Sequence, residues 1–311
     1  MPELPEVEYT ARQLQHAIMD ATIQGALVFW ERTIGHPDVP NFLAEIADRR
    51  ILGVRRRGKF LVMDLEGDLI LTIHRRMTGN LLLLPAGWQI DTSLYDIDPV
   101  AWDRKGPTFC QGEIPCAQTD PKIAYCRVCL NLADGRRLLF TDPRKFGRIG
   151  LWPHEREVEA LERLGPEPLS EEFTVERFAQ SLAGRKGAIK QVLLSQNVIA
   201  GLGNIYADEA LFYAGIHPLR RANSLILEEV QRLHEGIIVV LTFGIEHGGT
   251  SFNEYRDLWG EAGDNYNHVR VYHQQGKPCV RCGTPIERIV VAQRGTHFCP
   301  TCQKLTTSPI G

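Results

Sequence analysis

Behind Pro5, the apolar residues Val7, Ala11, Leu14 and Ile18 recur at helical spacing. The pattern predicts an amphipathic helix with one buried stripe, a proline at its first position and Glu6 and Glu8 in its opening turn. In the opening stretch "MPELPEVEYT", Pro2 and Glu3 then lie just outside the positive end of an anchored helix, which disfavours a floppy leader. From about Thr22 to Leu151 the pattern shortens to β-rich runs with turn punctuation. "KFLVMDLEGDLILTIH" turns at Glu66-Gly67-Asp68, and "VCLNLADGRRLLFTD" turns at Asp134-Gly135. Several such hairpins predict an antiparallel β-sandwich. Residues 86–123 lack periodicity and carry prolines at 99, 107, 115 and 121, so a loop insertion is expected there.

"LGPEPLSEEF", from Leu164 to Phe173, leads into helical patterns: "FTVERFAQSL", "AIKQVLLSQ", "NIYADEALFYAG" and "LILEEVQRLHEGIIVVLTFGI". The tail from Asn265 is short, basic and punctuated by cysteines. The expected fold class is α+β and multidomain. A β-sandwich domain is expected at 1–152, a linker at 153–172, a helical domain at 173–262 and a cysteine-bearing module at 263–311.

The 311 residues suit two domains and a small third module, with 43% hydrophobic and 23% charged content typical of a folded chain. No apolar run reaches membrane-spanning length and the N-terminus lacks a signal-peptide pattern, so a cytoplasmic, reducing setting is expected. The eight cysteines then read as metal ligands or buried thiols. The net charge of −3 hides a local asymmetry. "RRILGVRRRGK", Arg49 to Lys59, holds six basic residues and no acid, whereas Leu151 to Gln180 holds eight glutamates against three arginines. From Gly263 on, six basic residues face two acidic ones. The arginine-rich stretch is either a solvated face or a phosphate-contacting surface.

Cys279-x2-Cys282, sixteen residues, then Cys299-x2-Cys302 is the spacing of a four-sulfur zinc site at the ends of a β-hairpin, with Arg294 near its tip. Such a site is closed, so one structural Zn2+ is expected and no redox or nucleotide cofactor. Cys110, Cys116, Cys126 and Cys129 raise the alternative of a second metal. Cys126 and Cys129 lie three apart in a predicted strand and should point to opposite faces, which makes buried or loose thiols the default.

"PELPEVE" at the terminus, Gly58-Lys59, "HRRMTG" at 74–79, "DPRKFG" at 142–147, "GLGNIYADEALF" at 201–212 and the terminal cysteine hairpin occur in that order. Over nearly the whole chain except about 86–123, this set resembles the formamidopyrimidine-DNA glycosylase family, bacterial base-excision enzymes for oxidised purines. The resemblance implies an N-terminal helix with an eight-stranded β-sandwich, a helix–two-turn–helix domain and a zinc hairpin. It also implies double-stranded damaged DNA as the partner, bound in a cleft, and a monomer with no membrane association.

What the resemblance implies residue by residue begins at Pro2, the nucleophile once Met1 is removed. An α-amine titrates near neutrality, and the helix end is expected to favour its neutral form further. Glu3 is the implied general acid on the sugar ring oxygen. Lys59 is the implied catalytic lysine beside the lesion, and Arg294 the hairpin arginine that clamps phosphates. Glu6 is either a support of the site or a plain first-turn glutamate. Met77, Arg144 and Phe146 match residues that fill the gap left by an extruded nucleotide. Asn204 is expected to grip a phosphate at a helix start. His74 aligns with a position near DNA, a structural histidine being the alternative, and Arg185, Lys186 and Lys190 are expected phosphate contacts.

Two departures stand out. Tyr125 occupies a position where the family often has histidine, and "VYHQ" at 271–274 replaces "VYGR". "SFNEYRDLWGEAGDNYNH" before it is the implied lesion-capping loop. The expected function is thus a bifunctional glycosylase and AP lyase excising 8-oxoguanine and formamidopyrimidines by β,δ-elimination. Alternatives are an endonuclease VIII-type enzyme for oxidised pyrimidines and a non-catalytic zinc-bearing damaged-DNA binder. Leu4 and Val7 favour the purine branch, and an intact Pro2, Glu3 and Lys59 argue against binding alone.

Overall fold

The computed structural model describes residues 2–91, 107–111, 123–156, 159–252 and 254–305. These form two compact units. The first holds Pro2, Glu6–Glu159 and Thr250–Gly263; the second holds Glu3–Pro5, Ala160–Gly249 and the chain from Asp264 on.

Helix α1 (Leu4–Ile18) forms where the apolar spacing places it, and Val7, Ala11, Leu14 and Ile18 are each at most 3% exposed. Burying each of the larger aliphatic side chains contributes about 1.5–3 kcal/mol. They enter one core with alternate residues of strands β1 (Thr22–Val28), β3 (Arg49–Arg57), β4 (Phe60–Leu65), β5 (Leu69–His74), β6 (Asn80–Leu84), β9 (Cys126–Leu132), β10 (Arg137–Thr141) and β11 (Arg148–Pro153). With helix α2 (Val39–Ile46) adding Phe42 and Ile46 to this core and β2 (Ile34–His36) joining the sheet, the strand order is β2-β11-β5-β4-β3-β1-β9-β10-β6. Strand β3 is the bend of the sandwich: Arg49 and Arg50 pair with β1, and Ile51 to Arg57 pair with β4. Among the described residues the sheet has nine strands, not eight, because β2 adds an edge; its pairing with β11 is parallel, a local departure from the antiparallel rule. Both expected hairpins are present, β4–β5 and β9–β10.

The expectation of opposite faces for the β9 cysteines fails, while that of buried thiols holds for Cys126 and Cys129. Phe140 pairs with Val128 but Thr141 pairs with Cys126, so Arg127 is an extra residue in the strand. This bulge reverses the alternation, and Cys126 and Cys129 fall on one face with Leu82, Leu84, Ile123 and Leu139. Burial raises both thiols, Cys129 to about 11, which leaves them inert. Of the 86–123 insertion, β7 (Trp88–Asp91) and β8 (Thr108–Gln111) pair as an antiparallel ribbon rather than a loop. Cys116 and most of that stretch lie outside the described residues.

Thr250–Gly263 returns to the sandwich unit, although the sequence pattern places 250–262 with the helical domain. Long-range polar contacts decide this. Gln13 donates to Asp257 (2.8 Å) and accepts from the Leu258 N–H (3.0 Å), and the Leu83 N–H bonds the Leu258 carbonyl (3.0 Å).

In the second unit, α3 (Val175–Ala183), α4 (Ile189–Leu193), α5 (Asn204–Ala214) and α6 (Leu227–Glu246) follow the helical patterns. Every residue of α5 from Ile205 to Ala214 except Tyr213 is buried, so α5 is the spine of the unit. Gly244 lets α6 approach it, since a Cβ there would lie 2.6 Å from the Tyr206 ring. Strands β12 (Glu287–Val291) and β13 (Arg294–Phe298) make the terminal hairpin, reversed at Ala292-Gln293, both with positive φ.

Candidate active site

The chain start is held by the N-terminus of α5. Glu3 is 2% exposed, and its carboxylate accepts hydrogen bonds from the Ile205 N–H (3.0 Å) and the Tyr206 N–H (3.5 Å). These are N–H groups that a helix leaves without partners, at the positive end of its dipole. The Leu4 N–H donates to the Gly201 carbonyl at 3.0 Å. Gly203 is required by close approach, since a Cβ would stand 2.2 Å from the Glu3 carboxyl carbon. "GLG", weak as a sequence signal, is thus the seat of Glu3. Pro2, immediately before it, is buried.

Asn204 directs its amide N–H2 group at the Gly295 carbonyl (3.1 Å) and the Tyr272 hydroxyl (3.3 Å), tying α5 to the start of β13 beside the hairpin turn. Lys190 differs from the expected phosphate contact. Its side chain is fully buried, 2.6 Å from the equally buried Asp208 carboxylate. Its ammonium also donates to Thr296 Oγ1 (2.8 Å) and the Gly295 carbonyl (3.2 Å). Burial lowers the Lys190 pKa; Asp208, then Glu3, oppose that shift, and Arg294 adds to it. Asp208 also accepts from the His297 N–H at 2.9 Å. Arg294 stands exposed at the start of β13 on this braced backbone.

Glu209, the next residue, accepts three backbone N–H groups, from Arg270, Val271 and Tyr272, at 2.8–2.9 Å. It fixes the loop in which His273, with φ 57°, stacks on Tyr272 at 4.7 Å. Arg185 donates to the Ser181 carbonyl at the end of α3, while Lys186 is exposed.

In the first unit, Glu6 is 1% exposed and accepts from the Thr250 N–H at 2.7 Å, which favours its supporting role. Lys59 is 9% exposed and, with Gly58 at φ 56°, makes the two-residue turn between β3 and β4. His74 sits edge-on to Phe60 at 4.5 Å, and its Nδ1 accepts from the Arg76 N–H at 3.1 Å. Burial, with the Arg76 and Lys59 charges, pushes its pKa down to about 3. The ring is therefore neutral at physiological pH, with its proton on Nε2.

Met77 and Phe146 are exposed at 38% and 47%. Arg144 links them, with its guanidinium 4.8 Å from the Phe146 ring centre and 3.2 Å from the Met77 sulfur. The turn beneath is built on Asp142, 0% exposed, which accepts from the Arg144 N–H (3.1 Å), the Gly147 N–H (2.7 Å) and the Thr78 hydroxyl. Tyr125, φ 65°, holds the same turn through its carbonyl, which accepts from the Asp142 N–H at 2.9 Å.

Arg75, Asp142, Asp208 and Glu209 escaped the sequence reading. Arg75 is 1% exposed and donates to the Gly79 carbonyl, Thr10 Oγ1, Asn80 Oδ1 and the Arg256 carbonyl at 2.7–3.2 Å. All four residues sit inside the motifs quoted above, which was the only signal available.

The four hairpin cysteines converge. Cys279 and Cys302 sulfurs lie 3.9 Å apart, Cys282 and Cys299 sulfurs 3.5 Å, and all four fall within 4.8 Å of one another. A zinc tetrahedron with bonds near 2.3 Å has sulfur–sulfur edges of about 3.8 Å. The thiolates therefore fit one structural zinc. Among the described residues no other cluster of this kind occurs.

A sandwich carrying an N-terminal helix, a helical unit that seats the chain start and a zinc hairpin bearing an exposed arginine define a DNA glycosylase of the zinc-bearing, base-excision class. Three family models match successive stretches. They are the formamidopyrimidine-DNA glycosylase N-terminal domain over 1–149, the H2TH domain of that glycosylase over 164–255, and the zinc finger found in FPG and IleRS over 276–305. The chain belongs to the formamidopyrimidine-DNA glycosylase family. A formamidopyrimidine-DNA glycosylase of Herpetosiphon aurantiacus is 43% identical over 309 residues, 97% of this chain and 100% of the relative. The MutM (FPG) crystal structure from Thermus thermophilus is 39% identical with TM-score 0.79, covering 97% of this chain and 98% of that one. A Lactococcus lactis FPG mutant in complex with Fapy-dG-containing DNA is 33% identical with TM-score 0.81, covering 97% and 100%.

Proposed function

We propose that this member of the family is a bifunctional glycosylase and AP lyase for oxidised purines, with the Pro2 nitrogen as nucleophile. The observation that carries the reading is the seating of Glu3 on the N–H groups of α5. The lock holds the residue after Pro2, so the amine exposed by loss of Met1 has a fixed origin.

In the proposed sequence the Pro2 nitrogen attacks C1′ of the damaged nucleotide, the C1′–base bond breaks, and the base leaves. Glu3 takes up the proton that the attacking amine sheds and delivers it to the ring oxygen as the sugar opens, which gives an iminium between Pro2 and C1′. The iminium acidifies the C2′ proton, whose removal expels the 3′ phosphate; a second elimination expels the 5′ phosphate, and water releases the sugar fragment. Lys59 supplies positive charge to the departing phosphate. Met77, Arg144 and Phe146 fill the vacated stack, Arg185, Lys186 and Arg294 contact phosphates, and Asn204 joins them by exchanging the Tyr272 hydroxyl for a phosphate oxygen as the partner of one amide hydrogen. Zinc, when bound, supplies the cross-link that keeps the hairpin of Arg294 in one shape. Lys190 holds that hairpin from within rather than touching DNA.

The relatives support the lesion class. The solved Lactococcus complexes include Fapy-dG, abasic-site and oxidised-pyrimidine DNA, so a secondary activity on oxidised pyrimidines is the second reading. Incubation with end-labelled duplexes bearing 8-oxoguanine or an oxidised pyrimidine tests both. Ends carrying phosphate on both sides of a one-nucleotide gap, formed faster with 8-oxoguanine, are expected. Intact strands with every lesion, or faster cutting at the pyrimidine, would overturn the assignment.

A further inference from the structure

The loop bearing Arg144 and Phe146 is fastened from its far side by a residue to which no step above assigns a part. The Lys145 ammonium lies 3.7 Å from the ring centre of Trp30, well inside cation–π range. Lys145 adopts φ 59°, a left-handed conformation that is uncommon for a residue with a long side chain. Trp30 is itself fixed: the preceding Phe29 N–H donates to the Arg127 carbonyl at 2.8 Å, and the Thr33 N–H to the Trp30 carbonyl at 2.9 Å. Its Nε1–H is buried without a hydrogen-bond partner among the described residues, so the ring is used for its face and not for its donor.

The loop is therefore held at its base by Asp142 and Tyr125 and at its side by Trp30. Asp142 holds its base through the Arg144 and Gly147 N–H groups, and Trp30 holds the one side chain between Arg144 and Phe146. We propose that Trp30 is a positioning residue for duplex reading: by clamping Lys145 it presets the geometry in which Arg144 and Phe146 enter the stack. The inference rests on the void-filling reading of those two residues. A loop that must enter a base stack loses conformational freedom on insertion, and a preset loop has less to lose.

Because single-stranded DNA has no opposite strand to penetrate, the clamp should matter for duplex and not for a single-stranded abasic oligomer. Trp30→Ala, Lys145→Ala, the double variant and Trp30→Tyr are compared by kcat/KM on an 8-oxoguanine duplex and by cleavage of that oligomer. A 2-aminopurine placed opposite the lesion reports insertion. Trp30→Ala should lower duplex excision and the 2-aminopurine signal roughly 3- to 10-fold, the range of a partly desolvated cation–π pair. Single-strand cleavage should be unchanged, Trp30→Tyr should recover most of the loss, and the double variant should be no worse than the poorer single one. Equal losses on both substrates, no loss, or additive losses would overturn the proposal. If Trp30→Ala does not fold, Lys145→Ala and its rescue by Lys145→Arg give the same decision. Phe146→Ala separates the two levels. If it also spares the duplex-to-single-strand ratio, the void-filling reading fails; if it lowers the ratio while Trp30→Ala does not, the clamp alone fails.

Discussion

Asp208→Asn isolates the most consequential buried charge in the second unit. Both Asp208 and Lys190 side chains are 0% exposed, and their charged atoms lie 2.6 Å apart. Removing one partner of such a pair costs about 3–5 kcal/mol, because the other charge stays buried without compensation. Asparagine keeps an acceptor for the His297 N–H, and Lys190 keeps Thr296 and the Gly295 carbonyl. The loss should therefore fall at the lower end, ~3 kcal/mol, or roughly 6–12 °C in Tm. The sign of its pH dependence follows from Lys190. Burial already lowers that pKa and Asp208 opposes the shift, so the variant lowers it further. Unfolded lysine then binds more protons than native lysine between the depressed value and the ordinary one, and stability rises with pH across that window. Thermal melts from pH 7 to 10 should show the deficit shrinking, and Lys190→Met in the Asp208→Asn background should recover much of it. A loss below ~1 kcal/mol, or a deficit that ignores pH, would refute the claim that this pair braces the hairpin.

Further outcomes follow from the other sites. Glu3→Gln keeps an oxygen for the Ile205 N–H but has neither charge nor acidic proton, so base excision should fall on the order of 10²-fold or more with little change in Tm. Stripping zinc with a chelator under reducing conditions should release one metal per chain, expose the β12–β13 amides to exchange and weaken DNA binding, with recovery on adding zinc back. His74, held near pKa 3 against an ordinary 6.5, stays neutral when folded. The unfolded chain binds the extra proton below pH 6.5, so His74 draws stability down as pH falls from 6.5 toward 3. His74→Gln should lose about 2 kcal/mol less than the parent between pH 7 and pH 5 in urea titrations.

Local pattern carried the parts of the fold that local pattern determines. The α1 stripe, the two hairpins around Glu66-Gly67-Asp68 and Asp134-Gly135, and the paired cysteines are each set by residues close in sequence. What stayed hidden depends on partners far along the chain. A lysine in "AIKQVL" has the look of a surface cation until Asp208 and Thr296 are brought beside it. One extra residue at Arg127 reverses the faces of Cys126 and Cys129, and no periodicity announces a bulge. Thr250–Gly263 follows a helix in sequence yet bonds Gln13, Asn80 and Arg75, more than 170 residues away. The Glu3 seat was legible only as motif, since a carboxylate and a glycine two hundred positions later carry no mark of their contact.

The most direct measurement is borohydride trapping during turnover on an 8-oxoguanine duplex, followed by proteolysis and mass analysis of the cross-linked peptide. A reduced adduct is expected on the N-terminal peptide, at the nitrogen of a Pro2 freed of Met1. An adduct on Lys59 or any other lysine, or efficient excision with no adduct by protein whose Pro2 is free, would contradict it.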